Sequence, residues 1–385
     1  MRMGAVHFPT VAELLAQASA ATGLDDFGTG FEGALGVLCD AIASDIDLNA
    51  DNVPRLAGPI VGLLISRLYS EAGWKRNPQC LARPIRAPLV VTGLPRTGTT
   101  ALHKLMAMDP QFQGLERWLA ETPQPRPPRD TWAAHPDFQA CVAGLDMFFQ
   151  MMPEMRKAHD MVADEVDECL EVLRQDFASN RFGSSMHVPS YDRWWATQDE
   201  MPAYRRYVDV LRLVGANDSG QRWLLKNPGH VAQMDCLLEV LSDACVIQTH
   251  RDPVKAIPSL CSTLHMARRM FEGDATDPTV LGPREVEYWA KAMETTQRAR
   301  RSRPDQFFDM DHREFHRDPM GVIRRIYDQF GLTLSDEAAA RMQRWIAESP
   351  TSKHGEHLYD ITDYGITAGQ VRSRFADYIA RHRLG

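Results

Sequence analysis

Residues 88–105, P-L-V-V-T-G-L-P-R-T-G-T-T-A-L-H-K-L, constrain the fold more than any other stretch. An apolar run (Leu89, Val90, Val91) passes through a turn holding Gly93 and Gly98. It enters a segment whose Leu102, Leu105 and Met106 repeat at i, i+3, i+4, one face of a helix. Strand, glycine loop and helix in that order make an anion cradle. The first N–H groups of a helix have no partner within it, and the helix dipole places partial positive charge beside them. Thr97, Thr99 and Thr100 add hydroxyl donors.

The cradle differs from that of nucleotide triphosphatases, G-x-x-x-x-G-K-[ST], in which Lys reaches the outer phosphates and Ser/Thr holds magnesium. The spacing from Gly93 to Gly98 agrees, but Thr99 stands where that Lys would be, and the fixed charge comes earlier, at Arg96. Such a loop suits a short anionic tail held without magnesium.

A second strand–turn–helix pattern follows at residues 243–259. Asp252 is a natural N-cap and Pro253 fits the first helical position, so Arg251 ends the strand. Ser259 lies about two helical turns further on. Pro258 removes a hydrogen bond inside that helix, a cost that makes sense if Ser259 faces a ligand. Arg grips phosphate through paired hydrogen bonds and a serine hydroxyl completes such a site. Two anion grips at strand ends suit a ligand with phosphates at both ends.

Four short apolar runs, 89–92, 223–225, 245–248 and 307–310, are separated by helical patterns. They predict an α/β fold: a P-loop-like open parallel sheet flanked by helices, with ligands bound beyond the strands' carboxyl ends. Residues 1–82 read as an N-terminal helical region, opened by the capping box Thr10-Val-Ala-Glu13. Residues 75–88 read as a connector. Residues 83–385 form the α/β domain, with a helical insertion about 120–215 that could serve as a lid. The methionines 147, 151, 152 and 155 and the pair Trp194-Trp195 lie in that insertion; they read first as core, and otherwise as the wall of an apolar acceptor pocket.

The net charge of −8 argues against a general nucleic-acid binder. Seven scattered cysteines without a C-x-x-C pair imply a reducing compartment. No apolar run is long enough to span a membrane, and Glu13 and Gln17 break the N-terminal apolar stretch. A cytoplasmic protein is expected. His354-Gly-Glu-His357 lacks the order of a zinc motif, so no metal is expected. Arg298, Arg300, Arg301 and Arg303 read as a solvated turn. Oligomeric state is not legible.

The segments G-L-P-R-T-G-T-T at 93–100 and H-R-D-P-x5-S at 250–259 together resemble the sulfotransferases that use 3′-phosphoadenosine-5′-phosphosulfate (PAPS), in the bacterial branch with an L-P-R-[ST]-G-T-T loop. The likeness continues through W-L-L-K-N-P-G-H at 223–230, F-G-L-T-L at 330–334 and S-P-T-S-K-H-G at 349–355. It implies that Arg96, Thr97, Gly98, Thr99 and Thr100 hold the 5′-phosphosulfate. Arg251 and Ser259 would hold the 3′-phosphate, with Lys353, His354 and Gly355 closing over it. His312 departs from the family, where Tyr is common near the nucleotide.

The implied reaction moves a sulfonate from PAPS, a co-substrate, to a hydroxyl of a small, partly apolar acceptor. Lys226, ending its strand, is expected at the bridging oxygen and sulfonate beside Arg96. The general base is open between His230 and Glu116, with the acidic segment 164–168 as a third source. Some relatives use a glutamate just after the cradle helix, whereas many of this branch place it where Leu119 stands here. Two other classes compete: a magnesium-dependent P-loop kinase or NTPase, disfavoured by Thr99, and a nucleotide-binding protein without catalysis.

Overall fold

The structure, a computed structural model, describes residues 6–158, 161–218, 220–274, 276–348 and 360–385. Five parallel strands form one open sheet, β1 (Leu89–Gly93), β2 (Phe112–Gln113), β3 (Arg222–Lys226), β4 (Cys245–His250) and β5 (Phe307–Asp311), in the order β2-β3-β1-β4-β5. The four expected runs are four of these strands. β2 was not expected, because two residues are too few to show an alternating pattern. The chain fills one side of β1 and then the other, so the order reverses at β1, and the crevice for ligands opens above it.

Side chains alternate across the sheet. Val90, Leu225 and Val246 face one layer, and Leu89, Val91, Leu224 and Ile247 face the other. All five residues of β1 are buried, as a central parallel strand with both faces covered requires. The second face is covered by α4 (Thr99–Met106) together with later helices, among them α15 (His312–Arg317) and α16 (Pro319–Gln329).

Before the sheet stand α1 (Val11–Thr22), α2 (Glu32–Asp45) and α3 (Asn52–Arg76). The Thr10–Glu13 capping box starts α1, with both reciprocal hydrogen bonds present. The expected connector is shorter than the sequence suggested: α3 runs to Arg76, and a 3-10 turn spans Pro78–Ala82.

The regular elements of the insertion, among the described residues, are helices: α5 (Arg117–Glu121), α6 (Pro136–Met151), α7 (Pro153–Ala158), α8 (Leu170–Leu173), α9 (Asn180–Ser185), α10 (Pro189–Trp195) and α11 (Met201–Val214). It shares a core with the N-terminal helices. Phe177, Phe182, Met186 and Tyr191 pack among Phe31, Leu35, Leu64 and Leu68. Arg67, only 1% exposed, fastens the two layers. It donates to the carbonyls of Phe27 and Gln175, pairs with Asp176 at 2.8 Å, and lies over the Phe31 ring.

α12 (Met234–Val240) lies between β3 and β4, and α13 (Pro253–Glu272) and α14 (Leu281–Arg300) lie between β4 and β5. The arginines expected in a solvated turn are partly structural. Arg300 pairs with Asp309 at 2.8 Å, and Arg303 donates to the carbonyls of Leu238 and Ser242. Among the described residues no helix is long and apolar enough to cross a membrane.

Candidate active site

The loop after β1 is held in a shape most residues resist. Gly93 has φ 145°, and a Cβ there would stand 2.5 Å from the Thr249 carbonyl oxygen on β4. Arg96 itself takes a left-handed φ of 67°. Such backbone strain is characteristic of ligand-gripping loops. Thr97 is turned inward, donating to the Leu94 carbonyl at 2.6 Å and meeting the Thr249 hydroxyl. Gly98, the N-cap of α4, brings no side chain to cap the helix. The helix therefore begins at Thr99 and Thr100 with its dipole uncovered. Gly93→Ala is expected to cost about 1–3 kcal/mol, since both the φ and the Thr249 contact oppose a methyl group. A denaturant midpoint equal to that of the unsubstituted protein would contradict this.

The two sequence constellations meet here. Arg251 directly follows β4 and donates to the Arg96 carbonyl at 2.8 Å, while the Arg96 Nε donates to the Ser259 Oγ at 3.2 Å. Asp252 caps α13 through the Val254 N–H, which fixes the turn that presents Arg251. α13 runs on through Pro258 without a break. His312, at the start of α15, packs within 3.3 Å of the Cβ position of Gly98, and burial together with the Arg251 charge pushes its pKa down to about 3. Lys353, His354 and Gly355 lie outside the described residues.

Lys226 closes β3 and is 1% exposed. Its Nζ donates to the Glu168 Oε1 at 2.6 Å and to the Thr100 Oγ1 at 3.3 Å. The backbone N–H of Cys169 donates to the Lys226 carbonyl at 2.9 Å, which seats Glu168 beside the lysine. Asn227 then turns the chain, its side chain accepting from the Gly229 N–H.

A cavity of about 740 Å³ opens over these groups. Arg96, Thr99, Thr100, Glu168 and Asn227 line its polar end. Apolar side chains make up much of the rest of the wall, among them Leu63 of α3, Leu145 and Phe148 of α6, and Leu260, Leu264 and Phe271 of α13, interspersed with charged residues such as Arg117, Asp167, Glu171 and Arg174. Of the methionines singled out in the sequence, Met155 lines the cavity, whereas Met147 and Met151 are 60% and 59% exposed. Trp194 and Trp195 pack against the N-terminal core instead.

Neither expected base is a lining residue of this cavity. His230 is fully buried behind Tyr204, its Nδ1 2.8 Å from the Tyr204 hydroxyl, and burial pushes its pKa down to about 3. Tyr204 lines the cavity; His230 does not. Glu116 is buried in an ion pair with Arg126 at 3.1 Å, and its backbone bridges to Val166. Burial raises its pKa, against the pull of Arg126. The acidic segment weighted least in the sequence supplies Glu168, the carboxylate that reaches both lysine and cavity. Charge alone could not single it out from Asp164, Glu165 and Asp167.

Two further lining residues carried no sequence signal. Glu200 precedes α11, and its Oε1 accepts from Trp195 at 3.0 Å and Gln233 at 3.0 Å; burial pushes its pKa up to about 7. Arg181 stands on α9.

Away from the cavity, His250, Asp309 and His382 bring potential ligand atoms within 4.8 Å of one another. Asp309 is committed to His250 at 2.8 Å and to Arg300, and the two imidazoles stack at 3.8 Å. The trio ties β4 and β5 to the C-terminal helix Ala376–His382.

Known proteins resemble this chain over most of its length. The sulfotransferase STF1 of Mycobacterium tuberculosis is 39% identical, with 96% of this chain and 99% of that one covered and a TM-score of 0.85. STF9 of Mycobacterium avium is 26% identical, covering 100% and 99%, with a TM-score of 0.90. The ω-hydroxy-β-dihydromenaquinone-9 sulfotransferase Stf3 of Mycobacterium bovis is 23% identical over 306 residues, 75% of this chain and 74% of its own length. Residues 88–336 match the sulfotransferase family as a whole, more than half of the sequence and all five strands. The chain belongs to the sulfotransferase family, and is an enzyme that transfers a sulfonate group.

Proposed function

We propose that the donor is PAPS and that the acceptor is a hydroxyl compound with an apolar body. The observation that carries this reading is one cavity that joins an uncapped helix start, and the Glu168 carboxylate paired with the buried Lys226, to a long stretch of apolar wall. Arg96, Thr97, Gly98, Thr99 and Thr100 hold the 5′-phosphosulfate, and Arg251 and Ser259 the 3′-phosphate. Lys353, His354 and Gly355 are proposed to close over it, as the family resemblance implies. The named substrate of the Stf3 relative, a hydroxylated menaquinone, agrees with an apolar acceptor.

In the reaction the acceptor oxygen attacks sulfur in line, and the bond from sulfur to the bridging phosphate oxygen breaks. The sulfonate moves to the acceptor, and adenosine 3′,5′-bisphosphate leaves. Lys226 neutralises charge on the bridging oxygen as it departs, beside the Thr100 hydroxyl. Glu168 takes the acceptor's proton. Before the donor arrives, each of the pair satisfies the other. A phosphosulfate drawing on Lys226 leaves the carboxylate free to act as base. His230 supports this wall through Tyr204 rather than taking the proton.

Donor binding is tested by thermal shift, since a ligand that binds only the folded state raises its stability. Adenosine 3′,5′-bisphosphate is expected to raise the midpoint, and ATP or GTP with magnesium is not. Arg251→Ala should weaken calorimetric affinity for the bisphosphate roughly tenfold or more, by removing a charge-assisted contact. Equal affinity in the two proteins would count against the 3′-phosphate assignment. Stabilisation by magnesium-ATP alone would favour a kinase.

A further inference from the structure

The charged residues around the cavity are almost all spoken for. Arg117 pairs with Glu121 at 2.7 Å and also reaches Asp167 and Glu171. Arg174 pairs with Glu171, and Lys226 with Glu168. Glu285 is held by Arg284 at 2.5 Å and by the Trp289 indole N–H. Arg181 is different. It lines the same cavity, yet among the described residues its guanidinium makes no hydrogen bond and no salt bridge. Glu171, Glu168 and Glu285 attract it from beyond ion-pair distance, and Arg174 repels it. Burial pushes its pKa down. A guanidinium carries five donors, and among the described residues none of those of Arg181 has a protein acceptor.

Its position assigns it to one side of the reaction. The donor's contacts come from the loops after β1 and β4. α9 is not one of these loops: Phe182, next to Arg181, is packed into the core of the N-terminal helices, and the Gly183 and Ser184 carbonyls accept from Arg268, further along α13 than Ser259. Arg181 therefore stands where the acceptor's body lies.

We propose that Arg181 is a specificity-determining residue, an anion-recognition point for the acceptor, so that the natural acceptor carries, besides its hydroxyl and apolar body, an acidic group such as a carboxylate or phosphate. Planar bidentate pairing is what a guanidinium offers to either. The proposal rests on the donor reading above and deepens it. It predicts that the apolar wall selects the chain of the acceptor, while Arg181 selects its head.

The test uses a matched pair of probes, 10-hydroxydecanoate and 1,10-decanediol, titrated by calorimetry into the full-length protein saturated with adenosine 3′,5′-bisphosphate. The unsubstituted protein is expected to bind the carboxylate about tenfold or more tightly than the diol. Arg181→Met should erase that preference while leaving affinity for the diol and the bisphosphate unchanged. Because the guanidinium supports no neighbour, Met should also leave the melting temperature near its original value, and Arg181→Lys should restore part of the preference. No carboxylate preference in the unsubstituted protein overturns the proposal. So does a loss of bisphosphate affinity in Arg181→Met, which would place the guanidinium on the donor. A protein that never binds the bisphosphate overturns the donor reading itself, a result visible before either probe is added.

Discussion

Glu168→Gln is expected to lower turnover about 10²–10⁴-fold while calorimetric affinity for adenosine 3′,5′-bisphosphate stays the same. The substitution keeps the side chain's shape and leaves Lys226 an amide oxygen to donate to, so the fold and the lysine's position are preserved. What it removes is the capacity to accept a proton from the attacking hydroxyl. Glu168 is the carboxylate seated against Lys226 at the polar end of the cavity, whereas His230 and Glu116 are absent from its lining. The comparison with His230→Ala and Glu116→Gln is decisive. If Glu168→Gln keeps full turnover and one of the others loses it, the proton goes elsewhere. His230→Ala should instead disturb the Tyr204 wall, and so alter acceptor affinity more than the rate at saturation.

The second large effect is expected at Lys226. Lys226→Met fills the same buried space with an unbranched apolar chain and should reduce the rate of transfer at saturating donor about 10²–10³-fold, the scale of losing one charge-stabilising donor. Donor affinity should fall far less, because Arg96, Arg251 and the start of α4 remain. Rapid-quench single-turnover measurements separate the two. A loss of affinity matching the loss of rate would mean that the lysine serves ground-state binding only.

The parallel sheet and the cradle were legible because their signals are local. Leu89, Val90 and Val91 form an apolar run, Gly93 and Gly98 punctuate it, and Leu102, Leu105 and Met106 give the helical repeat. The meeting of Arg96, Arg251 and Ser259 followed from strand ends sharing one edge of a sheet. The pairing of Glu168 with Lys226 was not legible. Glu168 reaches Lys226 only because the Cys169 N–H is tied to the β3 carbonyl, a contact 57 residues apart in sequence. His230 looked suited to proton transfer from its place after Lys226. Nothing local reports that Tyr204 and Tyr207 close over it. Arg181 and Glu200 were invisible for a related reason. A charged residue within a helical insertion resembles any solvated one until the fold shows it turned into a cavity.

The core shared by the first three helices and the insertion has a consequence for how such enzymes diversify. The loops proposed to grip the nucleotide stand on the sheet, while the N-terminal helices and the insertion, bolted to each other by Arg67, shape much of the remaining wall. Drift in the outer layer can therefore recruit new alcohols while the chemistry at the strand tips stays put, provided that bolt survives.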